Sequence, residues 1–236
     1  QDDRIELEVV GYGMGEESFG IEYRTIYGDL SQPEIWAELD AVLLQTYDHE
    51  NGAKLRINAA CIDSGGHYTK MVYAFVKGKK ARRVFAIKGM GGTGRPIVTA
   101  PRKTKTGTQK AAIDLFTVGV DEAKSTIMAR LKVTEGAGLC HWPLKYDLEY
   151  FHQLTAEKVI TKFKRGFKSK EWVKTRPRNE ALDIRVYAYA ALVLLNPVFE
   201  SIQKSLAPKK KVEAETPIQQ RRNRQPKKAG FVNGWR

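Results

Sequence analysis

The chain has 236 residues, 42% of them hydrophobic, and carries 40 Lys/Arg against 27 Asp/Glu for a formal net charge of +13. That apolar content supports a real core in one large or two small domains, and the excess positive charge points to a polyanionic partner. Two cysteines, Cys61 and Cys140, exclude a disulfide framework and a zinc-ligand set and fit a reducing cytosol, and the longest uncharged apolar run, Val186 to Leu195, is far short of a membrane span, so no membrane partner is expected.

Ile5 to Tyr12 alternates apolar and acidic residues and predicts a strand. Gly11, Gly13 and Gly15 make a turn, and Ser18 to Tyr27 returns as the second strand of an antiparallel hairpin. Ser31 is placed to cap a helix with Pro33 near its start, presenting Ile35, Trp36, Leu39, Val42, Leu43 and Tyr47. Arg56 to Gly66 reads RINAACIDSGG, a mostly buried strand that ends in Asp63 before a Gly65-Gly66 break. A carboxylate at the C-terminal end of a strand is a common place for chemistry; it is equally the residue that starts a turn or caps a helix. His67 lies four residues on, placed either near such a site or at the start of the next helix, Tyr68 to Lys77, whose Met71, Val72 and Phe75 point inward. Val84 to Ile87 is a strand, and Lys88 at its end faces either the same cleft or solvent.

Residues 90–110 are rich in Gly, Pro, Thr and Lys and predict a mobile loop. Its start, GMGGTGRP over 89–96, is not a phosphate loop: Arg95 replaces the lysine and Pro96 the magnesium-binding Ser/Thr, so no nucleotide is expected here. Ile113 to Val118 is a strand, Asp121 caps a helix running to about Leu131, and Glu135 to Pro143 is irregular with an extended piece at Cys140 to Trp142. Lys158 to Lys174 alternates basic with apolar or aromatic residues and predicts a hairpin turning near Gly166. Its Lys162, Lys164, Arg165 and Lys168, with Arg102, Lys103 and Lys105, are candidates to grip a phosphate backbone, against the alternative of solvated faces. No motif indicates base-specific readout.

Arg178 to Leu195, RNEALDIRVYAYAALVLL, is a largely buried helix behind Pro177, ended by Pro197. Asn179 suits its N-cap and Glu180 the positive end of its dipole. Leu182, Val186, Tyr189, Ala190 and Val193 are spaced for a buried face. Asp183 falls inside this apolar run, where a lone carboxylate is costly unless paired with Arg178 or Arg185, used in the cap, or bound to a metal. Residues 1–200 form the expected domain. Residues 201–236 hold ten Lys/Arg and two Glu, a charge of +8 that leaves +5 on the rest; this tail is expected to be disordered. The start at Gln1, with no initiator Met, reads as an excised fragment.

CIDSGGH at 61–67 together with R-N-E-A-L-D-x-x-V-Y-A-x-A-A-L at 178–192 resembles the C-terminal nuclease domain of the large terminase subunit of tailed phages, in its lambda-type branch. G-x-G-x-G-E-E-S at 11–18, I-K-G at 87–89, P-R-K at 101–103 and Q-L-T-A-E at 153–157 add to the resemblance, which runs in order from residue 1 to about 195. It implies an α/β fold with a ribonuclease-H-like mixed sheet flanked by helices. Asp63 and Asp183 match two of the family's metal-binding acids. Asp3, His67, Lys88, Asn179 and Glu180 are candidates to stand behind them. The family's first acid lies on the central strand, in G-V-D-x-Q, whose Gln matches Gln1; that strand falls upstream of this chain, and Asp2 and Asp3 fall in the turn after it.

The resemblance further implies a metal-dependent endonuclease that cuts double-stranded concatemeric DNA during phage genome packaging in the host cytoplasm. Two Mg²⁺ or Mn²⁺ ions about 3.5–4 Å apart would activate water and stabilise the leaving 3′ oxygen. An ATPase domain would lie upstream in the same subunit, with the small terminase subunit and the portal as partners. Two rivals stay open: another nuclease of this fold, such as a resolvase or integrase, and a non-catalytic module that docks on DNA or portal.

Overall fold

The computed structural model describes residues 3–105, 112–164 and 166–206. Strands β1 (Arg4–Tyr12) and β2 (Ser18–Tyr27) form the expected antiparallel hairpin, and α1 (Pro33–Leu43) follows. Then come a short hairpin of β3 (Thr46–Asp48) and β4 (Lys54–Arg56), strand β5 (Ala60–Asp63), helix α2 (Thr69–Val76) and strand β6 (Val84–Met90). The C-terminal half continues through β7 (Val98–Lys105), β8 (Ala112–Gly119), α3 (Val120–Arg130), β9 (Cys140–His141) and α4 (Leu148–Leu154). It closes with a hairpin of β10 (Glu157–Lys164) and β11 (Phe167–Lys174), then α5 (Glu180–Leu195) and α6 (Phe199–Leu206).

Two sheets make the central layer. One has the order β1-β2-β9; the other, β5-β6-β8-β7, is parallel except for its edge strand β7. Alternation along the strands sends side chains to two cores. Ile5, Leu7, Ala60, Ile62 and Ala86 pack with Ile35, Leu39 and Val42 of α1 and Val72 and Phe75 of α2. On the other side, Tyr23, Cys61 and Ile87 pack with α3, α4 and the buried Leu182, Val186 and Ala190 of α5. Among the described residues β1 and β5 share no ladder although both feed the first core, so each is the edge strand of its own sheet, and α5 packs on both.

Several local expectations are corrected. Residues 98–105, read as part of a mobile loop, form β7, which hydrogen-bonds to β8 despite its Pro101; an edge strand tolerates the missing N–H. The glycine-rich piece before it is tied down as well: Gly92 N–H donates to Asp121 Oδ2 at 2.8 Å and Gly94 N–H to Glu122 Oε1 at 2.9 Å. Asp121 is therefore not the cap of α3; Gly119 holds that position. Ser31 does not cap α1, whose N-cap is Gln32, and Tyr47 lies in β3 rather than on α1. Met71 and Val193, expected to face inward, are 36% and 39% exposed. The long helix ends on Asn196 in the left-handed conformation, with its N–H on the Leu192 carbonyl, before Pro197.

Candidate active site

Asp63 is the last residue of β5, and the turn after it fixes its carboxylate. Gly65 N–H donates to Asp63 Oδ1 at 2.9 Å, and a Cβ at Gly65 would lie 3.2 Å from that oxygen, so a larger residue there would press on the carboxylate. The turn is anchored below by Ser64 Oγ, which donates to the Ile87 carbonyl at 2.8 Å, and by Thr69 Oγ1, which donates to the Ser64 and Gly66 carbonyls. Asp63 itself is exposed, contrary to the expectation of a charge buried by its strand. His67 sits in the same exposed turn.

From the other side, α5 presents a polar stripe of Asn179, Asp183 and Tyr187, each one turn from the next. Tyr187 Oη donates to Asp63 Oδ2 at 3.2 Å. Burial raises the Tyr187 pKa, and the negative charges of Asp63 and then Asp183 raise it further, so the phenol stays protonated between two carboxylates. Gly89 keeps this passage open; a Cβ there would meet Val120 at 3.0 Å and the Tyr187 hydroxyl at 3.7 Å. The structure thus brings Asp63 and Asp183, 120 positions apart in sequence, to the same tyrosine.

Asp183 is partly buried, its side chain 37% exposed, and burial raises its pKa. It pairs with neither Arg178 nor Arg185. Asn179 Nδ2 donates to its Oδ2 at 3.0 Å, and Lys124 Nζ of α3 lies 3.6 Å from Oδ1. Both partners are held in turn by Glu157 at the root of the β10–β11 hairpin: Lys124 Nζ is 2.7 and 2.8 Å from its two oxygens, and Asn179 Nδ2 donates to Oε1 at 2.7 Å. Asn179 stands at the N-cap of α5 but makes no side-chain cap bond; its Nδ2 donates to both carboxylates instead. Arg178 bonds Glu6 at 2.8 Å and Glu180 at 3.2 Å; Arg185 is paired with Glu8 at 2.7 Å.

The other candidates are distributed more widely. Asp3 is exposed at the start of β1 and paired with Arg4 at 2.9 Å. Lys88 is exposed, and alternation with buried Ile87, the register partner of Asp63, turns it to the opposite face of the sheet; it does not share the Asp63 cleft. Arg102 and Lys103 lie exposed on edge strand β7, Lys103 paired with Asp114. Lys162 and Lys168 are exposed on the hairpin. Arg165, and the side chains of Lys105 and Lys164, lie outside the described residues, as do Asp2 and the tail from residue 207. Tyr187, Lys124 and Glu157 were not foreseen. The first had a signal in sequence, four residues beyond Asp183 on one helix; the other two come from distant segments.

Two carboxylates on facing elements offer the hard oxygen donors that Mg²⁺ and Mn²⁺ prefer. Among the described residues no cluster of three or more His, Cys, Asp or Glu stands ready as a complete cage. A pair still fits such ions, because Mg²⁺ is commonly held by one or two carboxylates together with water and substrate phosphate.

A family model described as the terminase large subunit gpA endonuclease domain matches residues 1–203. The chain is 38% identical over 198 residues to the terminase large subunit of Escherichia phage lambda, covering 80% of this chain and 30% of that protein. It is 34% identical over 201 residues to the terminase large subunit of Enterobacteria phage P21, covering 81% of this chain and 31% of that one. The chain therefore spans about a third of the length of these relatives. No solved structure matches it significantly.

Proposed function

Because the chain belongs to the family of terminase large subunit endonuclease domains, we propose that it cuts double-stranded concatemeric DNA during phage genome packaging, in the host cytoplasm, with divalent Mg²⁺ or Mn²⁺. The observation that carries this reading is the convergence of Asp63 and Asp183 on Tyr187 at the C-terminal end of β5.

When bound, two such ions supply Lewis-acid activation of water and charge stabilisation at the leaving oxygen. The chain's residues do the rest. Asp63 and Asp183 would hold the cations. Gly65 N–H and Tyr187 Oη orient the Asp63 carboxylate, one on each oxygen. Asn179 and Lys124 orient Asp183, with Glu157 fixing both. Arg102 of β7 and Lys168 and Lys170 of the hairpin, all exposed, contact phosphates, which suits an enzyme reading backbone more than base edges.

The sheet supports the ribonuclease-H-like reading. A strand laid between the free edges of β1 and β5 would join the two sheets into one mixed sheet, with α5 crossing it. A carboxylate on such a strand, upstream of Gln1, would be the third acid. An upstream ATPase domain, the small terminase subunit and the portal complete the proposed assembly.

The test is nicking of supercoiled plasmid with Mn²⁺ or Mg²⁺. Activity is expected in the presence of metal, absent with EDTA, and lost in both Asp63→Ala and Asp183→Asn. Nicking that survives in both variants would overturn the reading, and binding without nicking in the wild type would favour the docking module.

A further inference from the structure

The β10–β11 hairpin is a two-stranded ribbon whose two faces differ. Its register pairs Val159 with Trp172, Thr161 with Lys170 and Phe163 with Lys168. Alternation puts these six on one face, which is also the face of Glu157 at the root, the residue that holds the Asn179 and Lys124 partners of Asp183. Lys162 lies on the opposite face and is neutralised by Glu171 at 2.7 Å. On the first face Phe163 is 69% exposed and Val159 42% exposed, and Lys168 and Lys170 are exposed beside them.

We propose that this face is a platform for single-stranded nucleic acid, with Phe163 stacking on an unpaired base and Lys168 and Lys170 contacting the flanking phosphates. The proposal rests on the nucleic-acid reading above but on none of the metal chemistry. Charge complementarity selects a polyanion, because Lys168 and Lys170 have no ion-pair partner among the described residues of the ribbon, unlike Lys162. The aromatic ring selects the single-stranded form. A duplex keeps its base faces inside the stack and offers edges and phosphates, to which lysines alone suffice. A solvent-exposed ring gains only where a base face is free, and interleaved lysines and aromatics are the general means of holding such strands. Through Glu157 the platform leads to Asp183, so a strand lying on it would run toward the candidate catalytic carboxylates.

The experiment is fluorescence anisotropy of labelled oligo(dT) of 20 nucleotides and of a mixed-sequence duplex of equal length, with the full chain in EDTA so that cleavage does not contribute. Loss of one stacked base in Phe163→Ala is expected to weaken oligo(dT) binding about 5- to 150-fold, with duplex binding changed less than about threefold. The double variant Lys168→Gln/Lys170→Gln is expected to lower the salt slope for oligo(dT) by about 1.4. Lys162→Gln serves as the opposite-face control and is expected to change oligo(dT) affinity less than about twofold. The exposure of Phe163 makes an unchanged melting temperature the check on folding. Oligo(dT) affinity unaffected by Phe163→Ala, or a loss of equal size for the duplex, would overturn the proposal. Plasmid nicking by wild type and Asp63→Ala reports separately on the nuclease reading.

Discussion

Tyr187 Oη donates to Asp63 Oδ2 at 3.2 Å from a position one helical turn beyond Asp183. A half-buried phenol on α5 therefore bonds the exposed carboxylate directly, and its hydroxyl fixes where that carboxylate points. Tyr187→Phe removes that donor and keeps the ring that packs against the core. Losing a hydrogen bond that orients a metal-binding carboxylate costs about 10- to 100-fold in metal affinity or activity, whereas the net stability cost of one such hydrogen bond is about 0.5–1.5 kcal/mol. The expected outcome is a nicking rate reduced by one to two orders of magnitude with a nearly unchanged melting curve. Equal rates for Tyr187→Phe and wild type would mean that Asp63 needs no help in orientation.

Asp183 and Lys124 lie 3.6 Å apart but should answer mutation in opposite ways. Burial already opposes the Asp183 charge, so Asp183→Asn abolishes nicking while leaving the metal-free melting temperature unchanged or higher, within about 2–4 °C per kcal/mol for a domain of this size. Lys124 is buried and doubly bonded to Glu157. Lys124→Met strands that carboxylate, and breaking a buried pair costs about 3–5 kcal/mol; the expected fall is roughly 6–20 °C. Scanning calorimetry in EDTA distinguishes the two. A large loss in Asp183→Asn would make that aspartate a structural ion-pair partner instead.

The contrast between these two residues shows how far the sequence could be read. Asp183 announces itself, a charge inside an apolar helical run, and Asp63 closes an apolar strand before a glycine pair; local pattern suffices for both. The hairpins β1–β2 and β10–β11, helices α1, α2, α3 and α5, and strands β5, β6 and β8 follow from periodicity in the same way. What Asp183 pairs with was not legible. Lys124 sits in the middle of a helix and Glu157 at the start of a strand, each an ordinary charged residue until the fold removes it from water. Strand β7 was hidden by Pro101 and by the Gly-rich stretch before it, which makes the whole segment read as loop; its edge position is what allows the proline.

On the far edge of the sheet, Asp114 of β8 binds Lys103 of β7 and Lys80, the latter at 2.7 Å, and these two hydrogen bonds hold its carboxyl below the usual carboxylate range. Both lysines are thereby withheld from phosphate. Asp114→Asn should release them at little cost, since exposed ion pairs contribute about 0–1 kcal/mol. Duplex affinity at low salt is expected to rise, and the slope of log K against log[salt] to steepen by about 0.9 for each lysine that reaches a phosphate. A slope identical to wild type would show that the β7 edge does not meet the backbone, leaving the hairpin as the basic surface that matters.

The helix that carries Asp183 and Tyr187 is itself pinned to the sheet by one buried ion pair, Arg185 Nη1 to Glu8 Oε1 at 2.7 Å, with the two side chains 3% and 0% exposed. Tyr146 and Tyr150 donate to the same oxygen, Arg185 Nη2 donates to Ser18 Oγ at 2.9 Å, and its guanidinium stacks over Trp142 at 4.6 Å. Glu8 Oε2 has no partner among the described residues, so the pair is not fully satisfied. Removing Arg185 alone leaves a buried carboxylate with only neutral donors, and Arg185→Met should cost about 3–5 kcal/mol. Removing both charges is different, because a desolvated pair recovers little of what its burial costs and an apolar replacement of similar volume is often neutral. Glu8→Leu/Arg185→Met is therefore expected to regain most of the lost stability, short of wild type by the two tyrosine hydroxyls and Ser18 that lose their partners. Urea denaturation of the two single variants and the double variant gives the coupling energy directly. Nicking tells the rest: if the pair serves only to seat α5, activity should return with the fold in the double variant. A double variant that is stable yet inactive would mean that this charge pair sets the placement of the Asp183–Tyr187 stripe against Asp63, and not merely the stability of the helix that bears it.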